Sequence, residues 1–486
     1  MLMLILSLLV LELLFIKLSK LIYLIPFINL ALFGTIFYYS VLNYPNIFII
    51  FLVYFLFFKI FSSFRVYVKG KNMQYLKQVT FRSALILDLF ILLDASFIYV
   101  TRNLNGFNLF IILMITGFVF TSYIAVRTYR SKLLISKFNN DKNLDYKNLP
   151  TISVLVPARN ETNDLLRCLD SIARSDYPKM EVIVLDDCST ELKTPQIIGD
   201  FAQQGMKFIA GSEPEKEWTA KNWAYQQLVE ASSGEYLIFL GVDVIVKPDS
   251  FTKLISTISS QKKKMISLIP INVYKNFDIG YYLNQPMRYL IELILPNSII
   301  KSAPAISTLW VIDRKAFNKL GGMKSVDRTV MPEKYFAREL SKENSYLFAA
   351  SDKTLGIYSD KSRADQKDTS IRLTYPTLRK RPEVVSIFIL LFSLSAIMPF
   401  ISLLVGIINS NIYIFIFGLI NILVLIFSVA MVNYLAYRRI GIVDSLIAPV
   451  SLLYTAGIAF RSMYDYEYSE VNWKKRNVCI PVMRQY

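Results

Sequence analysis

The chain has 486 residues, 54% of them hydrophobic and 14% aromatic, with only 19% charged, where an ordinary soluble domain carries about 25% charged residues. The formal charge of +17 comes from basic residues that cluster beside long apolar runs near the two ends. Without a helix-turn-helix, zinc-finger or RNA-binding signature, that charge points to an anionic membrane surface and away from nucleic acid.

The sequence holds no histidine and three scattered cysteines, Cys168, Cys188 and Cys479. A Ser-His-Asp triad, a Cys-His pair and a His-ligated metal are therefore excluded, and a disulfide framework is not expected. Acid–base chemistry must run on carboxylates, Lys, Tyr or Cys, and a hard metal must bind oxygen.

Residues 1–130 read as five membrane spans at 1–15, 21–40, 47–60, 83–100 and 107–126, the first marginal and the third short for a bilayer. Asp88 and Asp94 fall in the fourth, which suggests that they face the bundle or a tilted end. Arg65, Lys69, Lys71, Lys77 and Arg82 place residues 64–82 on the cytoplasmic side, and two further spans return the chain there at 127–132. A polar linker, 131–148, opens a domain over residues 150–380 that lacks a spanning run and is expected in the cytoplasm. Spans resume at 384–407 and 412–435. A last apolar segment, 442–460, carries Asp444 and Pro449 and reads either as a span or as re-entrant, and the side of the basic tail 461–486 stays open. The whole is thus an integral membrane protein with a cytoplasmic domain between two sets of helices.

Within that domain, strands are expected at 152–156, 181–185, 206–209 and 236–240, with an amphipathic helix at 163–174. Alternating strands and helices give an α/β, doubly wound, mostly parallel sheet, which binds ligands at the strands' carboxyl ends. The loops there are 157–161, 186–190 and 241–243, and their oxygen-rich side chains suit Mg²⁺ or Mn²⁺ bridging a diphosphate.

The runs Ile152-Ser153-Val154-Leu155-Val156-Pro157-Ala158-Arg159-Asn160-Glu161 and Glu181-Val182-Ile183-Val184-Leu185-Asp186-Asp187-Cys188-Ser189-Thr190 closely resemble family 2 glycosyltransferases, inverting enzymes of GT-A fold. Trp218-Thr219-Ala220-Lys221-Asn222-Trp223-Ala224 looks like the W-T-G-K-x-W-A signature of the branch with hopanoid-associated and carotenoid (diaponeurosporenoate-type) glycosyltransferases, and Val471-Asn472-Trp473-Lys474-Lys475-Arg476 like its V-x-W-K-G-R. The resemblance covers residues 151–338 well and the C-terminal membrane part loosely.

By that resemblance Pro157, Arg159, Glu161, Asp186 and Asp187 line the nucleoside site of a UDP-sugar or other nucleotide-sugar donor, Lys221 meets the diphosphate, and Asp243 holds the divalent cation. Trp473 and Arg476 either line the site or anchor the tail at the interface. The family's first metal aspartate is Gly241 here, and its E-D-x-x-L-A-R base motif appears as Pro332-Glu333-Lys334-Tyr335-Phe336-Ala337-Arg338, so Glu333 takes the base position. A glutamate can still accept the proton of an acceptor hydroxyl. The implied reaction moves a sugar to a lipid or glycolipid acceptor at the membrane. The stretch Gln366–Arg372 lacks the spacing and Trp of a processive synthase's Q-x-x-R-W, which argues against polysaccharide synthesis. Gly241 and Glu333 keep a non-catalytic homologue as an alternative. The aromatic-apolar stretch 279–295 reads equally as core or as a lipid-facing surface.

Overall fold

An unbroken run of aliphatic residues leaves a strand no face for solvent. The first such run forms β1 (Ile152–Ala158), buried from Ile152 to Val156. The computed structural model describes the chain apart from residues 1, 19–20, 44–48, 69–72, 101–105, 136–148, 216–217, 274–278, 296–302, 440–444, 475 and 478–486. Most of the expected linker, the start of the 442–460 segment and the end of the tail therefore lie outside the described residues. The chain divides into two compact units: Met1–Thr121 with Thr374–Leu423 and Leu452–Glu470, and Ser122–Leu373 with Val424–Ser451 and Val471–Tyr486.

The second unit is α/β. Its strands are β1, β2 (Met180–Asp186), β3 (Lys207–Ala210), β4 (Tyr236–Leu240), β5 (Val244–Val246), β6 (Met265–Ile269), β7 (Ile271–Asn272), β8 (Leu309–Asp313), β9 (Tyr346–Ala350), β10 (Ile357–Ser359), β11 (Asn472–Trp473) and β12 (Arg476–Asn477). Seven form one sheet in the order β3-β2-β1-β4-β8-β6-β9. β1 pairs in parallel with β2 and β4, β2 with β3, and β6 with β9, while β8 runs antiparallel to both β4 and β6. The sheet is thus mostly parallel, as its sequence indicates. The four expected strands and the helix, found at Asn163–Ala173, are all present.

Helices cover both faces. The helix Asn163–Ala173 sends Leu165, Cys168, Leu169 and Ile172 into one core layer, and Ala220–Glu230 sends Ala224, Tyr225 and Leu228 into the other. In that second layer Phe239 of β4 stacks on Trp310 of β8 at 3.8 Å between ring centres. A small three-stranded sheet, β5-β10-β7, continues from the end of β4. The helix Ile279–Ile294 buries Tyr282, Met287, Tyr289 and Leu290, so the aromatic stretch left open by its sequence is core.

The first unit is helical. Leu2–Lys17, Ile25–Asn43, Ile49–Ser63 and Met73–Val100 pack through Ile5, Leu9, Leu32, Ile36, Leu52, Leu56, Leu87 and Ile91. Glu12, Asn29, Lys59 and Asp88, one from each helix, meet inside this unit. Lys59 Nζ lies 2.5 Å from Glu12 and also bonds Asp88, while Asn29 donates to Glu12 at 3.2 Å. Asp88 thus faces the bundle. Among the described residues of the chain, three helices are long and apolar enough to cross a membrane: Phe107–Leu134, Pro382–Ile408 and Ile412–Tyr437. Two more, Ile22–Tyr38 and Ile50–Ser63, are apolar but shorter. The final helix, Ala448–Tyr468, ends in Arg461, Asp465 and Glu467.

Candidate active site

The strand order reverses between β1 and β4, since β2 and β3 lie to one side of β1 and β4 to the other. A crevice at the carboxyl ends of those strands is the ligand position such sheets provide. A cleft of about 160 Å³ opens there, and Pro157, Arg159, Glu161, Lys221, Gly241 and Asp243 are on its walls.

The loops after β1 and β2 are tied to each other. Asn160, in the left-handed region at φ 50°, accepts from the Thr190 backbone N–H at 2.8 Å and donates its own N–H to Ser189 at 2.9 Å. Buried Arg159 donates to the carbonyl of Asp187, to that of Cys188 at 2.7 Å and to that of Lys474 at 3.1 Å. Its guanidinium therefore organises backbone at the site. Asp186 accepts from the Ser189 N–H at 3.2 Å and stays off the cleft wall. Asp187 is buried beside the cleft and accepts from Arg476 Nη1 at 2.6 Å. Burial pushes its carboxyl up to about 6, with Arg476 and then Arg159 opposing. Glu161 pairs with Lys474 at 3.0 Å.

Lys221 sits in the first turn of the helix Ala220–Glu230, 5.3 Å above the Tyr225 ring. The start of that helix is fixed by Asn222, whose amide donates to the carbonyls of Val326 at 2.6 Å and Thr329 at 2.7 Å. That loop leads directly into the helix Pro332–Lys342, so Asn222 couples the segments bearing Lys221 and Glu333. Trp218 and Trp223 meet edge to face at 5.3 Å and brace the same turn. Glu333, behind Pro332 at the helix start, is 1% exposed and stands off the walls of the main cleft. Its Oε2 has no hydrogen-bond partner among the described residues. Burial raises the Glu333 carboxyl and Lys221 opposes; burial lowers Lys221 to about 8 and Glu333 opposes. Each is the other's strongest charge partner.

Asp243 follows β4 and is held from the small sheet, its Oδ2 accepting from the Ser359 hydroxyl at 2.5 Å. A Cβ at Gly241 would lie 2.9 Å from Asp243 Oδ1, so the glycine leaves that oxygen its room. Among the described residues no three Asp, Glu, Cys or His side chains gather as a metal cage. One carboxylate suits a hard cation whose remaining ligands are phosphate oxygens and water. Such residues could hold Mg²⁺ or Mn²⁺ bound chiefly through a diphosphate, and Asp243 is the side chain that could contribute a protein ligand.

Arg476 reaches a smaller adjoining cavity that Lys221 also lines; of Trp473 only the backbone, in β11, is described. Lys361, Arg372 and Lys474 line the main cleft and were not singled out from the sequence. The available signal was position: Lys361 follows β10, and Arg372 lies in the helix Arg363–Thr377 in a stretch read only for a motif it lacks.

Residues 153–321 match the model of the family described as Glycosyl transferase family 2. The chain carries a family 2 glycosyltransferase domain. It is similar to a beta-monoglucosyldiacylglycerol synthase of Nostoc sp., 27% identical over 24% of this chain and 25% of the relative. It is also similar to a 4,4'-diaponeurosporenoate glycosyltransferase of Staphylococcus aureus, 22% identical over 40% of this chain and 53% of the relative. The chain thus spans about half or less of these relatives' lengths. Among solved structures it resembles a mannosyltransferase of Pyrobaculum calidifontis in complex with GDP-Man and Mn²⁺, at 15% identity and a TM-score of 0.43, covering 72% of this chain and 99% of the other.

Proposed function

We propose that this protein is an inverting glycosyltransferase that moves one sugar from a nucleotide-sugar donor, a UDP-sugar, to a lipid or glycolipid acceptor at the cytosolic face of the membrane. The observation that carries this reading is one cleft, at the β1/β4 switch point, walled by Lys221, Lys361, Arg372 and Asp243. The wall also carries Arg159 and Lys474 and the carboxylates Glu161, Asp164, Asp365 and Asp368; among these groups Lys221, Lys361 and Arg372 suit a diphosphate, and Asp243 an associated divalent ion. A lipid acceptor is supported by the three helices able to cross a bilayer and by the names of the relatives.

In the proposed reaction the acceptor hydroxyl gives its proton to Glu333 Oε2, and its oxygen forms a bond to the anomeric carbon. The bond from that carbon to the donor diphosphate breaks on the opposite face, and the nucleoside diphosphate leaves with the electron pair. Lys221, Lys361 and Arg372 offset its charge in place, without reorganising solvent. A divalent ion on Asp243 would supply further neutralisation. Burial raises the Glu333 carboxyl, with Lys221 opposing, which makes it a stronger base than an exposed glutamate.

Incubating the purified protein with UDP-hexoses and membrane lipids, followed by mass spectrometry, tests the proposal. A new glycolipid of inverted anomeric configuration is expected; retained configuration would overturn the mechanism. A second reading, a binding protein without catalysis, is favoured by the position of Glu333 off the cleft wall. It predicts donor binding with neither transfer nor hydrolysis.

A further inference from the structure

The segment that follows the last helix returns to the catalytic domain. Trp473 pairs with Arg476 across a two-residue turn, and Lys474 takes a φ of 48° there, the left-handed geometry of a tight hairpin. Such backbone is uncommon for a residue with a side chain, and here both ends of Lys474 are held. Its ammonium pairs with Glu161 at 3.0 Å and its carbonyl accepts from Arg159 at 3.1 Å. Arg476 forks between two acids, 2.6 Å from Asp187 and 2.8 Å from Glu213. The hairpin therefore meets the loop after β1 and the loop after β2 at once, and Asn472 and Lys474 line the cleft.

We propose that the hairpin at 471–477 is a wall of the donor site, in which Arg476 and Lys474 act as positioning residues for Asp187 and Glu161. The proposal rests on the nucleotide-sugar reading above. Its physical basis is charge. Glu161 is on the cleft wall, Asp187 is buried beside it and Glu213 is exposed, and the hairpin brings two cations against all three. Without it, uncompensated acids beside the cleft repel an anionic donor and the buried Asp187 carboxylate loses its principal counter-ion. With it, each carboxylate is held in one direction, ready to receive hydrogen bonds from a nucleoside.

The seated hairpin has a consequence for topology. It puts residues 471–477 on the membrane face that carries the catalytic domain. Pro382–Ile408 and Ile412–Tyr437 are each long and apolar enough to cross a bilayer; where they take the chain across and back, the helix Ala448–Tyr468 does not cross.

The test uses full-length protein in lipid nanodiscs and compares wild type with Arg476→Ala, Arg476→Lys, Asp187→Asn and the double variant Arg476→Ala/Asp187→Asn. Arg476→Ala is expected to raise the donor KM about tenfold with kcat changed less than about twofold, and the stability it loses by stranding the buried Asp187 carboxylate should return in the double variant. Arg476→Lys should fall between, because it keeps the charge and loses the fork. In the Asp187→Asn background Arg476→Ala should add little, since the partner is already gone. A donor KM unmoved in Arg476→Ala overturns the proposal, as does a loss of kcat and of stability that the double variant does not restore, the mark of a merely structural role. A cysteine placed at Glu470, exposed beside the hairpin, should react with an impermeant reagent only from the catalytic face; reaction from the other face also overturns it. A wild type that neither binds nor turns over any nucleotide sugar would instead overturn the functional reading on which this rests.

Discussion

The Ser359 hydroxyl donates to Asp243 Oδ2 at 2.5 Å, joining the end of β10 to the turn after β4. The backbone repeats the link, with the Asp360 N–H donating to the Asp243 carbonyl at 2.9 Å. Asp243 is thus aimed by a separate sheet. Asp243→Asn is expected to lower kcat/KM by about 100-fold, the scale of losing a charge-stabilising group. Ser359→Ala should cost about tenfold, as for a partner that orients a ligand. Steady-state kinetics with a UDP-sugar checks both, and a loss in Ser359→Ala equal to that in Asp243→Asn would contradict the assigned order.

A bell-shaped pH dependence is expected for kcat/KM. Asp187 titrates at about 6 in the folded protein, above its ordinary range. Its proton therefore persists to higher pH than in the unfolded chain, and the charge that receives Arg476 appears as pH rises through about 6. Lys221 is lowered to about 8, so its charge is full below that value and is lost as pH rises through it. The acid limb should lose the contribution of Asp187 in Asp187→Asn and keep that of Glu333, which must also give up its proton to act as a base. The alkaline limb should move up in Lys221→Arg, because a guanidinium stays charged above pH 12. Rate measurements from about pH 5 to 9 decide, and an unmoved alkaline limb in Lys221→Arg would remove Lys221 from that role.

Gly241 supplies a test of the metal. An aspartate there would place its Cβ 2.9 Å from Asp243 Oδ1, and two adjacent carboxylates repel unless a cation lies between them. Gly241→Asp should lose about tenfold in activity in chelator and recover with Mn²⁺, while the wild type responds less steeply. Titrating Mn²⁺ against both proteins gives the comparison. Equal metal dependence would mean that Asp243 is not where the ion binds.

How much of this could be read in advance depended on the range of the cause. β1, β2, the helix Asn163–Ala173 and the loops at 157–161 and 186–190 are written in local periodicity, and all are found. β8 was not legible as an antiparallel strand because its direction is set by where the chain returns after the helix Ile279–Ile294. Lys361 gains its place only because β10 docks on β5. Arg476 finds Asp187 across 289 residues, a distance at which no spacing rule operates. Glu333 was legible only through its motif; its burial at the start of the helix Pro332–Lys342 comes from tertiary packing that no local pattern announces.

In the helical unit, Lys59 bridges Glu12 and Asp88 where all three are at most 5% exposed. Removing the cation leaves two carboxylates together in an apolar interior, whereas neutralising one acid leaves a matched pair. Lys59→Met should therefore destabilise by about 3–5 kcal/mol, the cost of stranding a buried charge, and Asp88→Asn by much less. Thermal unfolding in one detergent measures both. Equal losses would contradict the charge balance.

The most direct test of the central claim is to follow sugar transfer from a radiolabelled UDP-sugar into extracted membrane lipids by wild type, Asp243→Asn and Glu333→Gln, with donor binding measured in parallel. Label entering a lipid with the wild type, and falling by about 100-fold or more in both variants while Glu333→Gln still binds donor, is the predicted result. Transfer by Glu333→Gln at the wild-type rate would contradict it.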